Sequence, residues 1–142
     1  MSSMEPSTNV FSQPLAQCST QPLTGFFRDG YCNTAPADGG SHTLAAQVTP
    51  EFLEFSKSRG NDLTSILSGG CKWCLCVTRW KEALTAYRSG EVGRSAVPSV
   101  ILPATHQLAL KSVTLQDLQE FSIDKQGGSG NAPDPSAGGP IR

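Results

Sequence analysis

The stretch Cys71-Lys72-Trp73-Cys74-Leu75-Cys76-Val77-Thr78-Arg79-Trp80 holds three of the chain's five cysteines and both of its tryptophans. A strand turns successive side chains to opposite faces, so an extended reading puts Trp73, Leu75 and Val77 on one side. Cys74 and Cys76 fall on the other, with Cα atoms about 6.5–7 Å apart. An unpaired cysteine packs as a small hydrophobe. Both faces therefore read as apolar, the pattern of a central strand. Thr78 is placed to cap a following helix, along which Trp80, Ala83, Leu84 and Tyr87 recur as one apolar stripe until Gly90 stops it.

Working outward, His42 to Val48 reads as a strand. Thr49-Pro50-Glu51 predicts a helix start: a capping hydroxyl, proline in the first turn and an acid beside it. Phe52, Leu53 and Phe55 give that helix its apolar face, Lys57 and Arg59 its basic last turn, and Gly60 its stop. Asn61 to Thr64 reads as a turn, and Ser68-Gly69-Gly70 breaks the chain before the cysteine strand. On the far side, Val97 to Leu102 is a β-branched stretch with Pro98 at its start and Pro103 at its end, which predicts a buried strand. Thr105 is expected to cap a short helix running to Lys111. Thr114 with Asp117 resembles a capping box for a last helix bearing Leu115, Leu118 and Phe121.

Residues 9 to 41 carry too many turn signals for a long element, yet Phe11, Leu15, Leu23, Phe26, Phe27 and Tyr31 give them apolar anchors. This segment reads as an ordered, irregular N-terminal lobe. The first eight residues, and the tail from residue 124, rich in Gly, Pro and Ser, have little to bury and are expected to be disordered. The fold prediction is thus a single small α+β domain over residues 9–123, with about three strands and three or four helices beside the lobe.

The 142 residues carry eleven basic and twelve acidic side chains, a formal net charge of −1. That profile speaks against a nucleic-acid or membrane-surface partner. No apolar run approaches the roughly 18 residues of a membrane span. The N-terminal residues show no basic segment followed by an apolar core. With an odd number of cysteines, these features predict reduced thiols and a soluble protein of the cytosol or nucleus, taken as cytoplasmic.

The residues resemble the uncharacterised domain-of-unknown-function family 2237, of bacteria and some eukaryotes. The similar blocks include Thr24-Gly25-Phe26-Phe27-Arg28-Asp29-Gly30-Tyr31-Cys32, Asp38-Gly39-Gly40-Ser41-His42 and Phe52-Leu53-Glu54-Phe55-Ser56-Lys57. Arg59-Gly60-Asn61-Asp62-Leu63, Trp73-Cys74-Leu75-Cys76 and Ala104-Thr105-His106 continue the likeness. It spans residues 9 to about 121 and implies no activity. Two departures stand out. The family pattern has a cysteine three residues after the histidine of the first strand, where this chain has Ala45. It also has a longer loop before the cysteine strand, with an acid where this chain has Cys71.

Three chemistries compete. The leading expectation is a small-molecule-binding module using polar groups at element ends: Arg28 and Asp29 in the lobe, Asn61 and Asp62 after a helix stop, Thr105 and His106 at a helix start. Second is a metal site drawn from Cys18, Cys32, His42, Cys71, Cys74 and Cys76, for which zinc is the natural cation. The spacings fit no standard zinc knuckle, and no cofactor is assigned from them. Third is a thiol enzyme pairing a cysteine with His42 or His106, although nothing around any cysteine marks a nucleophile. No phosphate loop, HExxH or GxSxG is present. The sequence names no catalytic residue and no oligomeric state.

Overall fold

The computed structural model describes residues 7–39 and 41–126. The ends expected to be disordered fall mostly outside that range. The fold is α+β, as predicted. Its sheet has three antiparallel strands: β1 (Leu44–Gln47), β2 (Lys72–Leu75) and β3 (Ser99–Val100), in the order β2-β1-β3. Leu44 pairs with Leu75, Ala45 with Cys74 and Ala46 with Trp73, while Ala46 also faces Val100. The helices are α1 (Pro50–Ser58), α2 (Val77–Arg88), α3 (Leu115–Glu120) and the single turn α4 (Ile123–Gln126). Short 3₁₀ turns lie at Arg94–Ala96, Leu102–Ala104 and Gln107–Lys111. No helix among the described residues is long and apolar enough to cross a membrane.

The side chains of β2 divide as its alternation requires. Trp73 and Leu75 join Leu44, Ala46 and Val100 in the main core, packed against α1 and α2. Cys74 points the other way, into a second, smaller cluster with Ala45. The helices therefore cover one face of the sheet and the N-terminal lobe covers the other. That arrangement explains why the cysteine strand reads as central while it lies at an edge. Its second face is buried by the lobe, and the central position belongs to β1. An edge strand leaves a row of backbone groups unpaired. Here the lobe supplies a partner, as the Cys74 N–H donates to the Thr24 hydroxyl at 2.8 Å.

The predicted caps hold at two helices and move at two others. Thr49 accepts from the Phe52 N–H at 3.0 Å with Pro50 in the first turn, and Thr114 accepts from the Asp117 N–H at 3.0 Å. Cys76 rather than Thr78 sits at the start of α2, because the chain turns helical at Val77, two residues earlier than a cap at Thr78 implies. Cys76 thus no longer shares a strand face with Cys74. His106, not Thr105, caps the turn Gln107–Lys111, since the Thr105 hydroxyl is committed to the Ile101 carbonyl and the Ala45 N–H. The third strand shrinks to two residues. Pro98 and Pro103, which cannot donate to a ladder, bracket it, and the chain tightens into a 3₁₀ turn before Pro98, at Arg94–Ala96, and into another around Pro103, at Leu102–Ala104.

Candidate functional site

The lobe is built to reach the back of the sheet. Asn9, almost fully buried, donates its side-chain amide to the Pro103 carbonyl at 3.0 Å and accepts from the Phe11 and Gln13 N–H groups. The Ala16 N–H donates to Pro103 as well, and the Val10 N–H to Thr105. These bonds fix the first part of the lobe on the segment after β3. The chain then turns through Gly25, Arg28 and Gly30, all at positive φ. At Gly25 a side chain would run into the Tyr31 carbonyl, so glycine's freedom is required there. The Cys18 N–H donates to the Gly30 carbonyl at 2.7 Å, which sets the two limbs of this turn side by side.

Folding the lobe this way brings Cys18 and Cys32 over Cys74. The three sulfurs all lie within 4.8 Å of one another, and all three residues are buried. Cys32 and Cys74 form a disulfide, with Cα atoms 5.2 Å apart and a sequence separation of 42. Cys18 remains a free thiol beside it. The surroundings are apolar: Ala45, Ala104 and the edge of Ile101 complete the cluster. Burial pushes the Cys18 thiol up to about 12, with the charge of nearby Lys72 pulling the other way. At neutral pH Cys18 is therefore protonated and a poor nucleophile in this state.

This geometry corrects the expectation of five reduced thiols at one pair. Cys18, Cys71 and Cys76 are free, and Cys32 and Cys74 are joined. An odd cysteine count cannot reveal that a lobe residue is carried onto a strand far along the chain. Of the six expected metal ligands, three converge. The others stand apart. His42 Nδ1 lies 2.7 Å from Asp38, Cys71 is 3.8 Å from the Ser68 hydroxyl, and Cys76 is 3.0 Å from the Thr78 hydroxyl. At Asp38, burial raises the carboxyl, but the bonds from His42 and Thr34 outweigh it and hold the group below its ordinary value. The position where the family pattern has a cysteine, Ala45, is fully buried in the same sulfur cluster.

The six polar residues expected to line a pocket are each tied to partners within the protein. Arg28 donates to the Gly25 carbonyl and stacks over Trp73, and Asp29 accepts from the Tyr31 N–H. Asn61 donates to Ser56 and Asp62 accepts from Thr64, which holds the Asp62 carboxyl below its ordinary value. Thr105 is buried against Ala45. Among the described residues, three surface clefts, of which that between α1 and the Arg94–Ala96 turn holds about 590 Å³, are lined by none of these six.

His106 carries a pH dependence of its own. Its Nδ1 accepts from the Leu108 N–H at 3.0 Å, and burial holds the imidazole below its ordinary value of 6.5. The folded state thus resists a proton that the unfolded chain accepts, so this stability is complete above about pH 6.5 and is lost as pH falls through the lowered folded value. His106→Asn keeps a capping side chain that does not titrate. Thermal melts of wild type are expected to shift down between about pH 7 and 5, and those of the variant to shift less. Parallel curves for the two proteins would contradict this assignment.

Comparison with curated proteins returns no match. The match to a family model does extend across both the lobe and the sheet, from residue 8 to residue 122. The chain therefore belongs to the DUF2237 family, described as an uncharacterized protein conserved in bacteria.

Proposed function

We propose that this chain is a thiol-ligated metal-binding domain in which Cys18, Cys32 and Cys74, when reduced, hold a thiophilic cation of the zinc class. The observation that carries the reading is the convergence of three buried sulfurs, each within 4.8 Å of the others, from two segments far apart in sequence. Zinc–sulfur bonds of about 2.3 Å in a tetrahedral site place sulfurs about 3.8 Å apart. Reduction of the pair and small side-chain rotations would reach that spacing. Three thiolates and a divalent cation leave one negative charge, and Lys72, whose field reaches Cys18, is placed to offset part of it.

Among the described residues the group has three members, so a fourth position would fall to water or to a small exogenous ligand, as in zinc sites that keep one place open. A reducing compartment such as the cytoplasm keeps such thiols available. The alternative of a small-molecule module finds less support, because Arg28, Asp29, Asn61, Asp62, Thr105 and His106 are each engaged in hydrogen bonds within the protein. Thiol catalysis also finds little. Cys18 is buried and protonated in this state, and the sulfurs of Cys32 and Cys74 are joined to each other.

The test is elemental analysis of protein reduced, loaded with zinc and desalted. About one equivalent of zinc is expected, falling at least tenfold in Cys18→Ser. Less than about a tenth of an equivalent in the reduced wild type would end the reading.

A further inference from the structure

We infer that the Cys32–Cys74 disulfide and the bound metal are alternative states of the same sulfurs, so that oxidation ejects the cation and reduction readmits it; this rests on the metal-binding reading above. Two observations carry it. The disulfide uses two of the three sulfurs in the cluster, and the third, Cys18, stands free and within 4.8 Å of both. The thiolate is the ligand, and a disulfide sulfur has no such charge to offer. With Cys32 and Cys74 joined, a single thiol remains, too few to retain a cation against solvent.

Either state also ties the lobe to the sheet. The disulfide links Cys32 of the lobe to Cys74 of β2, and a shared cation would link both lobe cysteines to the same strand residue. The exchange can therefore proceed without dismantling the fold.

The oxidant is a small-molecule disulfide, RSSR. One cluster thiolate attacks it, forming a mixed disulfide and releasing RS⁻. The second cluster thiolate then attacks the mixed disulfide, and a second RS⁻ leaves. The two cysteine sulfurs lose two electrons and RSSR gains them. The divalent cation departs, the two RS⁻ groups take two protons, and Cys18 takes a third. Reduction by a dithiol followed by metal uptake reverses each step and releases three protons.

The experiment uses the full chain with Cys71→Ser and Cys76→Ser, which removes the two thiols outside the cluster. The reduced protein is loaded with zinc alone and treated with oxidised glutathione. A chromophoric chelator reports released zinc, and thiols are counted in parallel under denaturing conditions. The expected result is release of the bound zinc with loss of two thiols per zinc, one thiol remaining, and recovery of binding after reduction. In Cys18→Ser the disulfide should still form. Zinc that stays bound after two thiols are lost would overturn the exchange while leaving the metal site standing. A reduced protein that takes up no zinc would overturn both.

Discussion

Cys32→Ser should lower the unfolding free energy of the oxidised protein by about 3–4 kcal/mol. The figure comes from chain entropy: a cross-link spanning 42 residues restricts the unfolded ensemble by roughly that amount. The link is also the one covalent tie between the lobe and the sheet among the described residues, since Cys18 is free. Urea unfolding with and without reductant separates the tie from packing. Wild type should lose most of the difference when reduced, and Cys32→Ser should change little. A variant as stable as oxidised wild type would mean that the lobe is held by its other bonds: Asn9 to Pro103, and Thr24 to the Cys74 N–H.

The second large effect lies on the helix face of the sheet. Trp80 is fully buried, packs edge-on against Phe121 at 5.9 Å, and donates its indole N–H to the Pro98 carbonyl at 3.0 Å. Trp80→Ala should cost about 3–5 kcal/mol, because the cavity cannot collapse between α2 and the sheet. For a domain of this size that is a large share of the total stability. Trp80→Phe restores most of the volume but leaves the Pro98 carbonyl unpaired, and should cost about 1–3 kcal/mol. Both values are read from denaturant midpoints. A loss below about 1 kcal/mol for Trp80→Ala would contradict the place given to this ring.

What could be read in advance divides along physical lines. Local signals were legible. Thr49 with Pro50, Thr114 with Asp117, and Gly60 and Gly90 at positive φ all act within a turn of themselves, so their neighbours in sequence settle their roles. Alternation likewise separated Trp73 and Leu75 from Cys74. Burial of both faces of β2 was legible too, but not the agent of burial. A lobe on one face and helices on the other leave the same apolar pattern as flanking strands.

The candidate site was legible only as a list. The sequence offers six soft or borderline ligands, and which three meet depends on the turn at Gly25 and Gly30 and on the seating of Asn9. Those contacts join residues far apart, and spacing says nothing about them. The six polar residues at element ends followed the opposite course. Their turn and capping partners lie within a few residues, and those short-range bonds take up Asp29, Asn61, Asp62 and His106.

Cobalt(II) offers the most direct test of the sulfur cluster, because it takes the place of zinc and absorbs in proportion to the thiolates bound to it. Titrated into the reduced Cys71→Ser/Cys76→Ser protein, it should give a near-ultraviolet sulfur-to-cobalt band that saturates at about one equivalent. That band should weaken in each of Cys18→Ser, Cys32→Ser and Cys74→Ser and vanish in the triple variant. No band in the reduced protein, or one that persists undiminished without these cysteines, would contradict the claim that the lobe and the sheet together make a metal site.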